Sequence, residues 1–509
     1  MAGRIGAVRA LGACLEGALA AIVRVEARFS PSETSGRTEV VVTGLPDAVL
    51  RETRRRLLDS LDECGLRVPQ GRLLLHLVPA ARPKRGDSLD LALTLAAAAA
   101  CGHLDPAGLE EVLWLGEVGI DGELYAVPGG LAAAIAAAES GIRDVVAPSA
   151  TAHEAACTGR VTARAADRLR DAVAHAAGRA LPAIEIEEPL AEATNQSAGL
   201  DEVKGQGAAK EALLVAACGH HNVLFVGTPG SGKTMLAKRL AGLMSPPSLA
   251  ERIEITRVLS AAGRWPGGLA SARPFRAPHH TASHAALVGG GPLVEPGEAS
   301  LAHLGVLFLD ELPEFRRESL EALREPLESG ELLISRAGAK VTLPARVLLA
   351  AAMNPCPCGW RGHPRMNCRC SEAMVDRYCG RISGPFLDRV DLRVEVPPPS
   401  LGELLGRNET TTSPTEEELR ARLVKASATR SARGQETPNA TLSPDQLNEW
   451  APLDTKGVSF LERAAAHGAW TARGLQVLRR VARTVADLDD SEEVRAVHVA
   501  QAVALRSHL

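Results

Sequence analysis

The residues Gly227-Thr228-Pro229-Gly230-Ser231-Gly232-Lys233-Thr234 constrain the fold of this chain more than any others. They follow the spacing G-x-x-x-x-G-K-[ST], which works only as a tight turn between a strand and a helix. Both flanks are present. Asn222 to Val226 (NVLFV) is a short apolar β-type segment, and Met235 to Leu240 consists largely of good helix formers. In that setting glycines let backbone N–H groups close on phosphate oxygens, and the helix N-terminus adds partial positive charge. Lys233 is placed for the β- and γ-phosphates and the Thr234 hydroxyl for Mg²⁺. The motif therefore implies a nucleotide with Mg²⁺.

A second, acidic motif follows. Gly305 to Leu309 (GVLFL) is a near-continuous apolar run, as expected for a strand buried on both faces of a parallel sheet, and it ends in Asp310-Glu311. A strand-end Asp-Glu pair on its own reads as a helix cap. Downstream of the phosphate loop it reads as chemistry: Asp310 on Mg²⁺ through its outer shell, Glu311 as general base on the attacking water. Met353-Asn354-Pro355 follows the apolar run Arg346 to Ala351, so Asn354 stands at a strand end beside Glu311 and is suited to orient that water.

At 509 residues the chain exceeds one ordinary core, so several domains are expected. Its 46% hydrophobic and 23% charged residues are those of a soluble globular protein. A net charge of −4 excludes a bulk basic field, so any nucleic acid would be held by local positive patches such as a pore lining. No apolar run reaches the ~18–20 residues of a membrane span. Ala10 to Val23 is interrupted by Glu16 and reads as an ordinary first helix or strand rather than a signal peptide, which points to the cytoplasm and to no membrane partner. Ten cysteines in such a chain suit free thiols or metal ligands better than disulfides.

Along the chain, residues 1–178 read as an α/β unit. Its expected strands are 40–43, 73–78, 113–118 and 145–148, its helices 52–64 and 87–100, with a turn at Gly44-Leu45-Pro46-Asp47. The acidic, Pro-containing stretch from Pro182 to Asn195 marks a linker over 179–199. Residues 200–400 hold the phosphate loop and are closed by Pro397-Pro398-Pro399. Residues 401–509 read as helical: Ser413-Pro414 and Ser443-Pro444 each give an N-cap followed by proline, and Trp470 to Leu488 and Glu492 to Leu505 are amphipathic.

Cys356-Pro357-Cys358 and Cys368-Arg369-Cys370 are separated by nine residues. Four thiolates at that spacing suit a closed, structural Zn²⁺ site, with free thiols as the alternative. Cys379 is unassigned, and Cys14, Cys64, Cys101, Cys157 and Cys218 read as buried small residues. Leu332 to Arg336, a turn over Ala337 to Ala339, and Lys340 to Leu343 read as a β-hairpin with Arg336 and Lys340 flanking its tip.

An α/β nucleotide domain followed by a small helical domain is the layout of AAA+ ATPases. The strings Val203-Lys204-Gly205-Gln206, 227–240, 273–315, NPCPCG at 354–359 and RISGPFLDRVDL at 381–392 resemble the YifB/ComM family of magnesium-chelatase-like AAA+ ATPases, over nearly the whole chain. Gly44 to Asp47 with Lys84 to Leu91 belongs to the same pattern. The resemblance implies an AAA+ P-loop αβα core with a helix-2 insert (Arg273 to Gly291, for pore contact or packing) and a C-terminal helical lid. It implies ATP as the nucleotide, Asn354 as sensor 1 and Arg473 as sensor 2. It places Arg389 where helix-2-insert proteins, such as minichromosome maintenance helicases, carry an arginine finger for the next subunit's γ-phosphate. It also implies a hexameric homo-oligomer and a DNA branch-migration helicase that extends strand exchange in natural transformation. Its partners would then be single-stranded or branched DNA and a recombinase. In such a ring the hairpin points into the pore, where Arg336 and Lys340 form a positive collar with salt-sensitive, sequence-independent affinity. A solvated hairpin with ordinary surface cations is the alternative.

The N-terminal unit resembles the Lon-protease C-terminal fold (ribosomal S5 domain 2-like), through residues 115–124 and Val127 to Leu131. A Ser-Lys protease needs a lysine just after that Gly-Gly-Leu, but Ala132, Ala133 and Ala134 stand there. Without an amine to take its proton, Ser88 is not an activated nucleophile, and the unit reads as structural or DNA-engaging. Competing with the DNA motor are a chelatase-like protein-remodelling ATPase, an ATP-dependent protease and a nucleotide-binding scaffold without turnover. DNA-stimulated ATPase activity separates the DNA motor from the chelatase-like ATPase.

Overall fold

A computed structural model describes residues 7–32, 38–44, 47–79, 87–185, 199–291, 294–336, 339–400, 402, 414–467 and 470–506. Leu45 and Pro46, Lys84 to Gly86, most of the expected linker (186–198), Ser413 and the hairpin tip at Ala337-Gly338 lie outside the described residues.

The Ala-rich opening segment is strand. Val8–Glu16 and Leu19–Pro31 pair antiparallel from Val8↔Ala27 to Glu16↔Leu19, reversing at Gly17, whose φ of 67° suits glycine. This hairpin is central to a seven-stranded sheet ordered Glu39–Thr43, Gly71–Val78, Leu19–Pro31, Val8–Glu16, Val112–Trp114, Asp144–Ala147, Thr162–Ala165. The helix Asp90–Ala100 is buried along its whole length. Its alanines allow the close approach that a helix enclosed on all sides needs. The strand expected over 113–118 is two strands. Val112–Trp114 stays in the large sheet, while Glu117–Val118 pairs with Leu124–Tyr125. Gly116 makes the break, with φ 141° and its missing Cβ only 2.9 Å from Pro148 Cδ.

The second sheet is five-stranded and wholly parallel, in the order Phe275–Arg276, Val306–Leu309, Leu348–Met353, Val223–Val226, Leu392–Glu395. Strand periodicity divides its side chains between two cores. Val223, Phe225, Val306, Phe308 and Ala350 pack on one face with the helix Gly207–Gly219 and the C-terminal helices. Leu224, Leu307, Leu309, Leu349 and Ala351 pack on the other face. That second core takes in Leu332 and Leu343 of the hairpin, and also Ala18 from the N-terminal turn. A Cβ at Gly17 would stand 2.8 Å from Leu343 Cδ2, so the N-terminal turn presses on the base of the hairpin. Ser260 also donates a hydrogen bond to the buried Glu154 across these two parts of the chain.

The C-terminal region is helical: Glu416–Ala432, Pro444–Trp450, Thr455–His467, Ala472–Leu488 and Ala496–Ala504. Ser443 caps its helix as expected, with Pro444 in the first turn and Gln446 completing a capping box. The cap expected at Ser413 is instead Thr415, whose hydroxyl accepts from Glu418 N at 3.3 Å. Glu418 stands three residues after Thr415 and returns the bond, which fixes the start there.

A buried polar network joins this region to the parallel sheet. Asp487, 1% exposed, accepts from Arg433 at 2.6 and 2.8 Å, Asn439 at 2.8 Å and Arg483 at 3.1 Å. Thr484, one turn away, meets His221 Nε2 at 2.7 Å, and His221 Nδ1 lies 3.3 Å from Asp391. Removing the carboxylate strands two guanidiniums. Asp487→Ala is therefore expected to cost about 3–5 kcal/mol in urea unfolding; a loss under about 1 kcal/mol would show that the network is solvated in solution.

Candidate nucleotide site

The register between the two central strands builds the site. Val226 pairs with Met353, which brings the start of the phosphate loop level with Asn354. The loop turns through Gly230 at φ 76° and Gly232 at φ 96° into the helix Lys233–Leu243. A side chain at Gly227 would strike the Val396 carbonyl. Lys233 Nζ donates to Gly227 O at 2.7 Å, Thr228 O at 2.9 Å and Asn354 Oδ1 at 3.2 Å. Burial holds its pKa below the usual lysine range, and Asp310 opposes that shift. The hydroxyls of Thr228 and Ser231 are buried without a hydrogen-bond partner. Orphaned donors in a glycine-rich turn, beside an ammonium that falls back on carbonyls, fit a phosphate chain.

Thr234 Oγ1 donates to Asp310 Oδ2 at 2.7 Å, and Asp310 Oδ1 accepts from Glu311 N at 2.9 Å. The hydroxyl and carboxylate expected to share Mg²⁺ are thus in contact. Glu311 has φ 53°, a left-handed conformation that non-glycine residues seldom adopt and that recurs at functional sites. Its carboxylate lies 3.1 Å from His280 Nδ1. Sequence reasoning missed His280; the only signal was its place in the His-rich stretch after Phe275-Arg276. The two arginines ahead of that stretch are tied into the body of the protein. Arg273 donates to Ser245 O, Leu304 O and Glu251, and Arg276 binds Glu298 in a fork at 2.6 and 2.7 Å.

Arg389 and Arg473 are brought together, but away from the phosphate loop. Arg389 donates to Pro385 O at 2.8 Å, Arg324 O at 3.2 Å and the Glu328 carboxylate. Arg473 Nη1 reaches the other oxygen of Glu328 at 3.1 Å. These bonds, Arg389 first, hold the Glu328 pKa below the usual range. Glu328, too, was not singled out from the sequence.

The hairpin is Glu331–Arg336 paired with Ala339–Pro344. Ala339 pairs with Arg336, so the turn is shorter than the expected Ala337 to Ala339. Lys340 is exposed opposite Ser335, and the side chain of Arg336 lies outside the described residues. The sulfurs of Cys356, Cys358, Cys368 and Cys370 all lie within 4.8 Å of one another; Cys379 is not in that group.

Residues 199–404 match the family described as magnesium chelatase, subunit ChlI. Residues 413–506 match its C-terminal domain, and 30–151 match subunit ChlI of Mg-chelatase. The chain is 37% identical over 484 residues to the protein YifB of Salmonella typhimurium, covering 93% of this chain and 92% of that one. It is 37% identical over 501 residues to competence protein ComM of Haemophilus influenzae, covering 96% of each. With YifB of Escherichia coli it shares 38% over 484 residues, 93% and 92% of the two chains. The chain belongs to the YifB/ComM family of magnesium-chelatase-like proteins. Membership implies an AAA+-type ATPase with ATP and Mg²⁺ as cofactors, which agrees with the orphaned hydroxyls and the Thr234–Asp310 contact. No helix among the described residues is long and apolar enough to cross a membrane.

His280 restrains the Glu311 carboxylate, and a half-exposed pair of this kind is worth about 0.5–1 kcal/mol. His280→Ala should therefore raise basal ATP hydrolysis roughly two- to fivefold with ATP affinity unchanged, in steady-state turnover and equilibrium binding. Unchanged turnover would remove His280 from the site.

Proposed function

We propose that this protein is an ATP-hydrolysing ring motor acting on DNA, a branch-migration helicase of homologous recombination and natural transformation. The observation that carries the ATPase chemistry is the single constellation of Lys233, Thr234, Asp310, Glu311 and Asn354 at the ends of adjacent parallel strands. Residues Gly227 to Thr234 hold the phosphates, with Thr234 and Asp310 on Mg²⁺. Glu311 takes the proton of the attacking water, and Asn354 orients that water. Bound Mg²⁺ supplies charge neutralisation on the transferred phosphoryl group.

The DNA part rests on other support: the exposed Lys340 on a hairpin fixed at its base, and the relative named competence protein ComM. Arg389 and Arg473 serve as arginine finger and sensor 2 for the nucleotide of a neighbouring subunit in a homo-hexamer. Their common tether to Glu328, rather than to their own phosphate loop, supports that reading. The division into 1–178, a linker over 179–199, 200–400 and 401–509 belongs to the same proposal, as do the cytoplasmic location and a recombinase partner. So does a Lon-like N-terminal domain without proteolysis. Ser88 donates to Ala13 O at 2.9 Å in a small pocket whose lining, among the described residues, includes Cys14, Gly129, Gly130 and Ala133 and no lysine. The family descriptions favour one second reading, a chelatase-like ATPase that remodels a partner protein.

The deciding experiment measures ATPase rate and strand exchange on synthetic three- and four-way junctions. Junction-stimulated hydrolysis with ATP-dependent movement is expected, and Glu311→Gln should lower turnover by about 10²–10⁴ while still binding ATP. Hydrolysis indifferent to every DNA form would favour protein remodelling. Lys340→Ala should weaken DNA binding uniformly across sequences and flatten log K against log[salt] by about 0.7–0.9 for each phosphate left without its cation. An unaltered slope would leave the hairpin as a solvated surface feature.

A further inference from the structure

We propose that Cys356, Cys358, Cys368 and Cys370 hold one Zn²⁺, and that this metal clamps the segment after Asn354 onto the phosphate loop. The proposal rests on the nucleotide-site reading and is independent of DNA. Zn²⁺ bound tetrahedrally at about 2.3 Å sets its sulfurs roughly 3.8 Å apart. The separations are 3.4 Å for Cys356–Cys358, 3.7 Å for Cys356–Cys368 and 3.7 Å for Cys358–Cys368, with Cys370 inside the same group. All four are free thiols, and none of these separations approaches the ~2.0 Å of a disulfide. Four thiolates leave no open coordination position, so the site is structural.

Backbone donors and one cation face the sulfurs. Backbone N–H groups of Trp360 and Arg369 donate to Cys358, and Cys370 N donates to Cys368 Sγ at 3.4 Å. Four thiolates on Zn²⁺ carry a net charge of about −2, and Arg361 lies beside Cys356 and Cys368, held at 2.9 Å by Glu372. Such outer contacts orient ligands and offset their charge. Residues 354–370 contain no helix or strand, and besides local turn bonds and these N–H contacts to sulfur a metal would be what joins their two Cys pairs.

Its position gives the clamp its consequence. Cys356 is fully buried two residues after Asn354. Gly359, at φ 82°, lies flat on the phosphate loop: a Cβ there would stand 2.7 and 2.8 Å from Pro229 Cγ and Cδ, and 3.8 Å from Asn354 Cγ. Gly359 N also donates to Cys356 O at 3.0 Å, joining this contact to a metal ligand. Metal, Gly359 and Pro229 therefore form one short path to the loop that carries Lys233.

The test uses the full chain purified without chelators. Elemental analysis should find about one zinc per chain, and Co²⁺ exchanged into the site should give thiolate-to-cobalt charge-transfer absorption. Cys368→Ser with Cys370→Ser should lose both signals, whereas Cys379→Ser keeps them. Stripping zinc with a mercurial and chelator, then removing the mercury with excess thiol, should leave ATP binding roughly tenfold weaker, with recovery on adding Zn²⁺ but not Mg²⁺. Because serine variants sometimes fail to fold, Gly359→Ala gives a second arm: zinc retained, ATP affinity lowered. Absence of both zinc and cobalt absorption would overturn the metal site. Normal ATP affinity in stripped protein and in Gly359→Ala would overturn the clamp while leaving the metal site standing. Neither result depends on whether DNA stimulates the enzyme.

Discussion

The parallel pairing of Val223–Val226 with Leu348–Met353 is the constraint on which the nucleotide site depends. Strand side chains alternate with a period of two, so a slip of one residue would exchange the two cores of the sheet. Phe225 and Leu224 face different cores, as do Ala350 and Ala351, and neither core could accept the exchange without voids. The register that buries these side chains also sets Lys233 against Asn354 and, through Val306–Leu309, sets Thr234 against Asp310. Hydrophobic packing thereby positions polar groups that carry little binding energy of their own.

The sheet is held in turn by its C-terminal partner. His221 sits at the entry to the phosphate-loop strand and is bonded on one side to Asp391, before the edge strand, and on the other to Thr484 of the C-terminal region. Buried polar chains of this sort are costly when incomplete and specific when satisfied. This one has donors on every side of Asp487, so the helical region is fixed to the sheet by direction as well as by apolar contact.

What could be read from the sequence followed from how local the signal was. The phosphate loop, Asp310-Glu311 and the Cys pairs are short strings whose spacing is itself the chemistry, and the α/β fold followed from apolar runs of strand length. The opening segment stayed ambiguous because alanine carries no strong period; the turn at Gly17 and the pairing with Gly71–Val78 decide it. The strand over 113–118 was overextended because Gly116 looks like a tolerated strand glycine until Pro148 is seen against it. Glu328 and the contact of Gly359 on Pro229 had no sequence signal, and His280 only its place in a His-rich stretch, because each joins segments that meet only after the sheet has formed.

Glu328 shows how one such long-range contact bears on assembly. A single carboxylate receives Arg389 on one oxygen and Arg473 on the other, so both guanidiniums are partly neutralised within their own subunit. Under the proposed ring, a neighbouring γ-phosphate competes with Glu328 for cations that are already held in place. Guanidinium–carboxylate and guanidinium–phosphate bonds have similar geometry, so the exchange needs little rearrangement of either arginine. Glu328 itself is half exposed, so solvent screens its hold on the two cations. A dianionic phosphoryl group in a closed subunit interface is less screened and more highly charged, and it therefore wins the competition. In the subunit both arginines are held together on Glu328; under the proposed ring, closure around bound nucleotide would redirect them.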